Sequence, residues 1–401
     1  MYDAIVVGAR CAGSPTAMLL ARKGYKVLLV DKARFPSDTL STHLLHPTGI
    51  EALKRWKLVD ALIATRVPPI ETYSFNFGPF AITGSAGTKE APFAYAPRRT
   101  VLDKLLLDAA AEAGAEVREG FGVQDLLVEG GRVVGIVGRD DKVTERARVV
   151  VGADGRNSFV ARKVKAEQYD EKPPLLAGYY TYYSGLDIGA LFQTYVRPHR
   201  AWATWPTHDG LTLVIGGWPY TEFEANKHDI EGNMLQQFEL APEWAEKVAG
   251  AKREAKWAGT AVPNYFRMPY GDGWALVGDA GYNRDFITAQ GMQDAFRDAE
   301  LLTTALDASF TGSQKFNEAM EDYRRVRDAH VKGIYEFTAM LATREPPPPE
   351  MQQVLHAVSQ SQEAMDQFAR VAAGGLAPEQ FFAPGNIGKI MAAAGAEQAT
   401  A

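Results

Sequence analysis

The chain lacks several features that decide a protein's compartment and partners. It contains one cysteine among 401 residues, so no intramolecular disulfide can form. No apolar run approaches the roughly 18 residues of a membrane-spanning helix, and the net charge of −6 gives no electrostatic basis for binding nucleic acid. The first apolar stretch begins at the second residue, which leaves no room for a cleaved signal peptide. These absences predict a cytoplasmic protein with no nucleic-acid partner and no stable membrane insertion.

Metal-binding patterns are also missing. The sequence has seven histidines, and no pair of them has metal-ligand spacing with an acidic partner on one helix face. The sequence therefore predicts no metal site. The chain does have length and apolar content, because 46% of its residues are hydrophobic. That is enough for a large core divided over two or three domains.

Glycine is concentrated behind apolar strands, first after residues 2–7. Gly8 begins a turn and Gly13 ends it, a helix follows, and a second strand ends at Asp31. A strand, glycine turn, helix and strand with an acid roughly 20 residues beyond the glycines are typical of dinucleotide binding. In this pattern Gly8 permits the tight turn, Gly13 permits close helix–strand packing, and the helix N-terminus holds the pyrophosphate. Asp31 would then bind the adenosine ribose.

The residues inside this turn depart from the usual glycine pattern. Arg10 stands where a second glycine is usual, so its side chain must point away from the phosphates or lie beside them as a counter-charge. Cys11 is a candidate redox thiol or a small buried packing residue, and it has no second cysteine as a partner. Ala12, within the turn, and Lys32, just after the second strand, complete the candidate contacts here.

Two further apolar strands run into short turns that contain glycine and aspartate. One strand leads to Asp154, and the other leads to Gly278 and Asp279. A ligand long enough to touch all three turns is a dinucleotide. The alternative for both aspartates is a turn-forming or helix-capping role.

With these motifs in order, the chain resembles the FAD-dependent superfamily of the para-hydroxybenzoate hydroxylase-like monooxygenases, the geranylgeranyl reductase-like enzymes and the flavin halogenases. The resemblance covers about the first 340 residues. It implies bound FAD, with Gly8 and Gly13 at the pyrophosphate. It places Asp154 near the pyrophosphate and the nicotinamide approach, and Asp279 at the ribityl chain.

The resemblance also implies which residues lie around the flavin ring. A helix that begins at Gly291 and Met292 is expected to face the flavin N1 and C2 carbonyl with its N-terminus. Its partial positive charge would favour anionic reduced flavin by roughly 0.3–2 kcal/mol. Compared with the family's Pro-x-x-Gly-x-Gly-x-Asn pattern, Phe286 replaces the proline, Ala289 the first glycine and Gln293 the asparagine, whereas Gly291 is kept.

Three further residues are candidates on the same basis. Arg99 matches an arginine that contacts FAD in relatives, and a surface ion pair is the alternative. His43 and His46 lie on a loop that runs beside the flavin in relatives. His43 is a candidate proton donor or acceptor, with a hydrogen-bonded structural histidine as the alternative.

The predicted fold is mixed α/β, a Rossmann-like FAD-binding domain with an inserted, mainly antiparallel β-sheet substrate domain and a C-terminal helical region. The predicted boundaries are 1–69, 98–168 and 271–340 for the FAD-binding domain, 70–97 and 169–270 for the substrate domain, and 341–401 for the helical tail. An amphipathic helix spanning Met351 to Phe368 is expected in the tail, and either core packing or a lid or dimer role would explain it.

The reaction is narrowed mainly by signatures that are absent. Residues 202–206 read Trp-Ala-Thr-Trp-Pro, which departs from the Trp-x-Trp-x-Ile-Pro of halogenases and from the Tyr-x-Trp-x-Phe-Pro of prenyl reductases. The inserted segment is rich in tyrosine and tryptophan, which suits a flat aromatic ligand. Trp205 and Tyr195 are the candidates for the pocket wall, although aromatic strands are also ordinary core.

These considerations predict an FAD-dependent monooxygenase that uses NAD(P)H and O2 on an aromatic or polycyclic small molecule. The alternative is a C=C reductase of the geranylgeranyl reductase type, and a third hypothesis is a flavin- or ligand-binding protein without turnover. No separate nicotinamide-binding unit is present in the sequence, so NAD(P)H would dock transiently or an external reductase would supply electrons. A monomer or a homodimer is expected.

Overall fold

The structure is a computed structural model that describes the backbone of residues 1–138 and 143–400 and their side chains up to position 395. The elements up to residue 163 are β1 (Tyr2–Val7), α1 (Gly13–Arg22), β2 (Val27–Asp31), α2 (Pro47–Arg55), α3 (Val59–Ala64), β3 (Pro69–Ile70), β4 (Thr72–Asn76), β5 (Ala81–Gly84), β6 (Ala94–Tyr95), α4 (Arg99–Glu112), β7 (Glu116–Glu119), β8 (Val123–Glu129), β9 (Arg132–Gly138), β10 (Thr144–Gly152) and α5 (Phe159–Lys163).

The middle and C-terminal elements continue this order. They are β11 (Gln168–Lys172), β12 (Leu176–Ser184), β13 (Leu191–Arg197), β14 (Arg200–Pro206), β15 (Thr212–Pro219), α6 (Phe223–Asn226), α7 (Ile230–Phe238), α8 (Pro242–Ala249), β16 (Lys252–Arg253), β17 (Ala258–Ala261), β18 (Asn264–Arg267), β19 (Tyr270–Gly271), β20 (Trp274–Leu276), β21 (Tyr282–Asn283), α9 (Gly291–Phe310), α10 (Phe316–Ala342), α11 (Pro349–Val358), α12 (Gln362–Ala372), α13 (Pro378–Phe381) and α14 (Pro384–Thr400).

The first sheet brings the three glycine turns together at the carboxyl ends of its parallel strands. Its order is β19-β20-β10-β1-β2-β7, and the four central strands and β7 run parallel. Val7 pairs with Gly152, and Gly152 pairs with Leu276, so the turns after these strands are neighbours. The strands are buried apolar runs, as expected for a parallel sheet covered on both faces. Helices α1, α4 and α9 pack on one face.

The second sheet has the order β16-β12-β15-β14-β13-β4-β5, with β17 also paired to β12. All of its pairs are antiparallel except β13 with β4. Because side chains alternate along a strand, the sheet has two apolar faces. One face packs on α7 and α8, and the other packs on the C-terminal helices. A smaller three-stranded sheet, β11-β18-β21, packs on α10.

The C-terminal helices contact both major parts of the molecule. The Gln290 amide, just before α9, donates to the Ala372 carbonyl at 3.0 Å, and the Ser85 N–H, just after β5, donates to Asp366 at 2.9 Å. The prediction of a single helix from Met351 to Phe368 is wrong, because α11 ends at Val358 and α12 begins at Gln362. The Ser361 hydroxyl caps α12.

The mixed α/β prediction, with an inserted, mainly antiparallel sheet and a helical C-terminal region, is confirmed. Among the described residues, no helix is both long and apolar enough to cross a bilayer.

Candidate active site

A cavity of about 800 Å³ lies where the turns of the first sheet face the second sheet. Its walls include the predicted cofactor residues Gly8, Arg10, Cys11, Ala12, Asp31, Lys32, Arg99, Asp154, Gly278, Asp279, Gly291 and Met292. Gly13 lies behind this wall, where a Cβ would overlap the Gly8 carbonyl oxygen. The structure therefore places the predicted residues around one space, while their individual contacts with FAD stay predictions.

The first turn has the shape that a phosphate cradle requires. Gly8 has a φ of 103°, a conformation that L side chains rarely adopt, and a Cβ there would collide with the Ala153 backbone. The start of α1 lies just behind this turn, and its first turn carries no acidic residue. Within α1 itself, Pro15 has no N–H and the Ser14 N–H donates to the Arg10 carbonyl at 3.0 Å. The backbone N–H groups of residues 10–13, which lead into the helix, have no partner among the described residues and suit a pyrophosphate, so the residues present fit FAD.

Asp31 stabilises this turn through its own hydrogen bonds. Its carboxylate accepts from the Ala9 N–H at 2.7 Å and from the Ala33 N–H at 2.8 Å. Each oxygen still has a lone pair for a second donor. Asp31 therefore holds the end of β2 against the glycine turn, and ribose binding remains a prediction for it.

Arg10 has partners within the protein. It donates to Asp103 at 2.6 Å and to the Ser37 carbonyl at 3.2 Å. Asp103 also accepts from the Arg99 Nε at 2.9 Å and lies 3.4 Å from the Cys11 thiol. Burial raises the pKa of the Cys11 thiol, so the thiol stays protonated and packs beside Asp103.

The two turn aspartates differ in what their carboxylates contact. Asp154 accepts from the Ser158 hydroxyl at 2.5 Å and from the Phe159 N–H at 2.6 Å, so it stabilises the start of α5. Asp279 has no hydrogen bond or ion pair among the described residues, and its side chain opens into the cavity. The surrounding protein raises the pKa of Asp279 to about 6, and the Arg99 charge opposes this rise. Asp279 is thus an acceptor left for a ligand.

The loop before α9 adopts a conformation that usually needs glycine. Residues Phe286–Thr288 form one 3-10 turn, and Ala289 is left-handed with φ 51° and ψ 31°. Asp285 caps the turn by accepting from the Ile287 N–H at 3.0 Å. Its other oxygen, Oδ2, is buried without a partner among the described residues, and burial raises the pKa of Asp285 to about 7.

His43 is buried behind the cavity wall. Its Nε2 bonds the Tyr182 hydroxyl, and its Nδ1 has no partner in the described part of the chain. Burial, with the charges of Arg99 and Arg98, lowers the pKa of His43 to about 3. His43 is therefore neutral near pH 7, with the Tyr182 hydroxyl as the hydrogen-bond partner of its ring, and a role as proton donor or acceptor stays a prediction.

His46 has a structural environment. Its Nδ1 bonds the Tyr73 hydroxyl at 2.7 Å, and its Nε2 bonds the Thr288 carbonyl at 3.2 Å. Burial lowers the pKa of His46 to about 4. It links the loop after β2 to the loop before α9.

The far end of the cavity is formed by uncharged residues of the second sheet and its neighbours. These residues are Gly178, Tyr180, Ile215, Gly259, Thr260 and Val262. The Tyr180 hydroxyl lies beside the Tyr182 hydroxyl and the Ser41 N–H, and burial raises its pKa. Tyr180 connects this wall to Tyr182 and thereby to His43.

The prediction that Tyr195 forms part of the pocket wall is wrong. Tyr195 lies on the opposite face of the second sheet, stacked on Trp202 with ring centroids 5.0 Å apart and packed beside Trp244 of α8. Trp205 lies on the cavity-side face but is 2% exposed, stacks on Phe192 and donates to the Thr42 carbonyl at 3.2 Å. Trp205 thus supports the loop beside the cavity and does not line the cavity itself.

Three residues of this site, Tyr180, Asp285 and Asp103, are not among those that the sequence predicts. Tyr180 lay in a run of tyrosines whose alternation could have placed it opposite Tyr179, and Asp285 directly precedes the altered loop. Thr100 and Asp103 have the spacing of a capping box, but α4 begins at Arg99 and Asp103 binds Arg10 and Arg99 instead. Among the described residues no cluster of His, Cys, Asp or Glu is arranged to hold a metal.

A family model for the FAD binding domain matches residues 1–338. The chain belongs to this family, within the superfamily that the glycine and aspartate turns indicate, and it is an FAD-dependent oxidoreductase.

Curated relatives include enzymes of different chemistry. A brominase of 1H-pyrrole-2-carbonyl peptidyl-carrier protein from Pseudoalteromonas luteoviolacea is 27% identical over 329 residues, covering 77% of this chain and 79% of that protein. Digeranylgeranylglycerophospholipid reductase 2 of Methanopyrus kandleri is 29% identical over 307 residues, 73% of each. Protein FixC of Escherichia coli is 27% identical over 354 residues, 81% of each.

Solved structures of similar fold cover nearly the whole chain. A flavoprotein/dehydrogenase from Cytophaga hutchinsonii has a TM-score of 0.81 at 20% identity, with 99% of each chain covered. The myxobacterial chondrochloren halogenase CndH has a TM-score of 0.78 at 22% identity, with 94% of this chain and 98% of that chain covered. PqsL of Pseudomonas aeruginosa, a probable FAD-dependent monooxygenase, has a TM-score of 0.72 at 20% identity, with 93% and 99% covered. At these identities the likeness concerns the fold.

Proposed function

We propose that this protein is a monooxygenase that uses NAD(P)H and O2 to hydroxylate an aromatic or polycyclic small molecule. The observation that carries the proposal is one cavity that runs from the dinucleotide turns to an uncharged wall with one phenol and one threonine hydroxyl, Tyr180 and Thr260. A flat ring with a polar substituent suits such a wall, because apolar contacts bind the ring and the hydroxyls orient it.

FAD, when bound, supplies the electrons that reduce O2 and allow one oxygen atom to reach the substrate. The chain's own residues bind the cofactor, orient the substrate and exclude water. The N–H groups of the turn that leads into α1 would hold the pyrophosphate, and Asp279 would accept from a ribityl hydroxyl. The second sheet covers the cavity and keeps water from the reacting atoms. Tyr180 orients a substrate hydroxyl, and Tyr182 in turn orients Tyr180.

The alternative is reduction of a C=C bond, as the resemblance to geranylgeranyl reductases suggests. The relative that favours it is the digeranylgeranylglycerophospholipid reductase at 29% identity. Against it, a lipid reductase needs a long aliphatic tunnel, whereas Phe286 rests on β12 at the uncharged end of this cavity.

The test is NADH and NADPH consumption by the FAD-loaded protein over a panel of phenols, naphthols and isoprenoids, with and without oxygen. We expect an aromatic compound to stimulate consumption only with oxygen, and its product to carry one atom from labelled O2. Equal reduction of an isoprenoid without oxygen would establish the reductase instead.

Two further arms complete this experiment. If neither nicotinamide reduces the bound FAD, photochemical reduction followed by mixing with O2 and the panel tests dependence on an external reductase. Adding bromide tests whether the product is brominated, as the relation to a brominase invites. Bound FAD that oxidises no compound in any arm would indicate a binding protein without turnover.

A further inference from the structure

Phe286 joins the two sides of the cavity. It belongs to the loop between Asp279 and α9, on the cofactor side, and its ring reaches strand β12 of the second sheet. A Cβ added at Gly178 would overlap the Cζ and Cε2 atoms of Phe286 and lie 3.4 Å from Cε1. The tip of the ring therefore rests directly on the β12 backbone. Both residues line the cavity.

The contact with Phe286 explains why position 178 is a glycine, whereas its backbone conformation does not require one. Gly178 lies within β12, pairs with Gly217 on one side and Thr260 on the other, and its φ is not positive. A glycine inside a strand weakens the strand and often marks a close approach of another group. Here the group that approaches is the Phe286 ring, so the two residues are a matched pair.

The Phe286 ring is also partly open to the cavity. It is only partly buried, unlike its buried neighbours Asp285 and Thr288 in the same loop. The adjacent wall, with Tyr180, Ile215 and Val262, carries no charge. A flat ligand in this space has an aromatic face to stack on and a phenol hydroxyl to bind.

We propose that the contact between Phe286 and Gly178 sets the size limit of the substrate end, so that it admits a small, flat, uncharged ring system that stacks on Phe286. This inference rests on the proposed function only in taking the Tyr180 wall as the place where substrate binds. Phe286→Ala removes the ring and adds the volume that it occupies to the cavity. Larger ring systems then fit.

The experiment measures binding of phenol, 2-naphthol and 9-phenanthrol to the FAD-loaded protein from changes in the flavin absorption spectrum. Phe286→Ala should tighten 9-phenanthrol relative to phenol by about tenfold, since 9-phenanthrol has two more rings than phenol and a pocket already discriminates by roughly tenfold for one methylene. Ile287→Ala is the matched control, because Ile287 is apolar, partly buried and in the same loop but does not line the cavity. It should keep the ratio of the wild-type protein.

Gly178→Ala tests the contact from the opposite side. The added methyl overlaps the ring, so we expect this variant to lose FAD content and phenol binding, and the double variant with Phe286→Ala to recover both. Equal effects of Gly178→Ala in the presence and absence of the ring would overturn the inference. Phe286→Leu, with a melting curve, keeps the test open if the alanine variant folds poorly.

An unchanged ratio of affinities in Phe286→Ala would overturn the size limit and leave the proposed hydroxylation intact. Binding of none of the three probes by any variant would overturn it as well. A changed ratio in a protein that hydroxylates nothing would instead support the size limit and contradict the proposed function. The two ideas therefore fail separately.

Discussion

At the scale of single residues, two aspartates that look alike in the sequence have different surroundings. Asp154 is four residues before Ser158, which caps α5, so its carboxylate bonds the groups at that helix start. Asp279 lies inside a single 3-10 turn, Gly278–Ala280, that offers its carboxylate no donor, and this carboxylate faces the cavity. The helix-capping alternative thus describes Asp154, and the sequence could not separate the two before the following elements were known.

Alanine substitutions should separate these two roles. Asp279→Ala should weaken FAD binding by roughly 1–3 kcal/mol, because a buried ribityl hydroxyl would lose its acceptor. Its apoprotein should melt no lower than the wild type, since no protein partner is lost. Asp154→Ala should instead lower apoprotein stability by roughly 0.5–2 kcal/mol through lost bonds at the start of α5. FAD titration and melting curves of the apoproteins measure both effects, and unchanged FAD affinity in Asp279→Ala would refute the ribityl assignment.

At the scale of elements, the loop before α9 keeps its conformation although its sequence has changed. The family pattern has glycine where Ala289 stands, and Ala289 nevertheless occupies the left-handed region. Packing maintains this strained residue, since Ala289 is buried and Gln290 is held by the Ala372 carbonyl. The departure from the pattern was visible in the sequence, but the support from the C-terminal helices was not, because those contacts join residues about 80 positions apart.

Ala289→Gly should therefore stabilise the protein. Removing the Cβ relieves roughly 1–2 kcal/mol of left-handed strain, while the added chain entropy of glycine costs roughly 0.5–1 kcal/mol, so a gain of about 0.5 kcal/mol is expected. Ala295→Gly is the control, because Ala295 lines the same cavity within α9 and should lose about 1 kcal/mol. Urea unfolding of both variants measures the two signs. A destabilised Ala289→Gly would show that its methyl contacts outweigh the strain.

At the scale of the whole molecule, the sequence predicted the cofactor side better than the substrate side. Parallel strands end at one edge, so three glycine turns after buried strands had to meet. The second sheet is aromatic on both faces, with Trp202 and Tyr195 on one and Tyr180 and Trp205 on the other. Alternation sorts these residues into two sets but cannot say which set faces the cofactor. Helices α7 and α8 cover the face that carries Tyr195, so the opposite face is the one left to line the cavity.

Near the cavity, two buried histidines have lowered pKa values and the buried carboxyl of Asp285 has a raised pKa. The pKa values of His43 and His46 lie near 3 and 4, below the ordinary value, so their contribution to stability is present above pH 6.5 and lost as the pH falls. The pKa of Asp285 is raised to about 7, so its contribution is present below pH 3.8 and lost as the pH rises through 7. Between about pH 4 and 6.5 these contributions oppose each other.

Replacing Asp285 should expose this balance. Asp285→Asn keeps the acceptor for the Ile287 N–H but removes a buried charge, so the variant should be more stable than the wild type at pH 8, by on the order of 3 kcal/mol. The advantage should shrink toward zero near pH 4, where the wild-type carboxyl is protonated. The variant should lose stability more steeply on acidification, because one of the carboxyls that oppose the histidines is gone while Asp279 remains. Urea unfolding of the FAD-loaded proteins from pH 4 to 8 measures the difference, with the exposed Asp60→Asn as a control expected to follow the wild type. A pH-independent difference between Asp285→Asn and the wild type would mean that the Asp285 carboxylate is solvated in the folded protein.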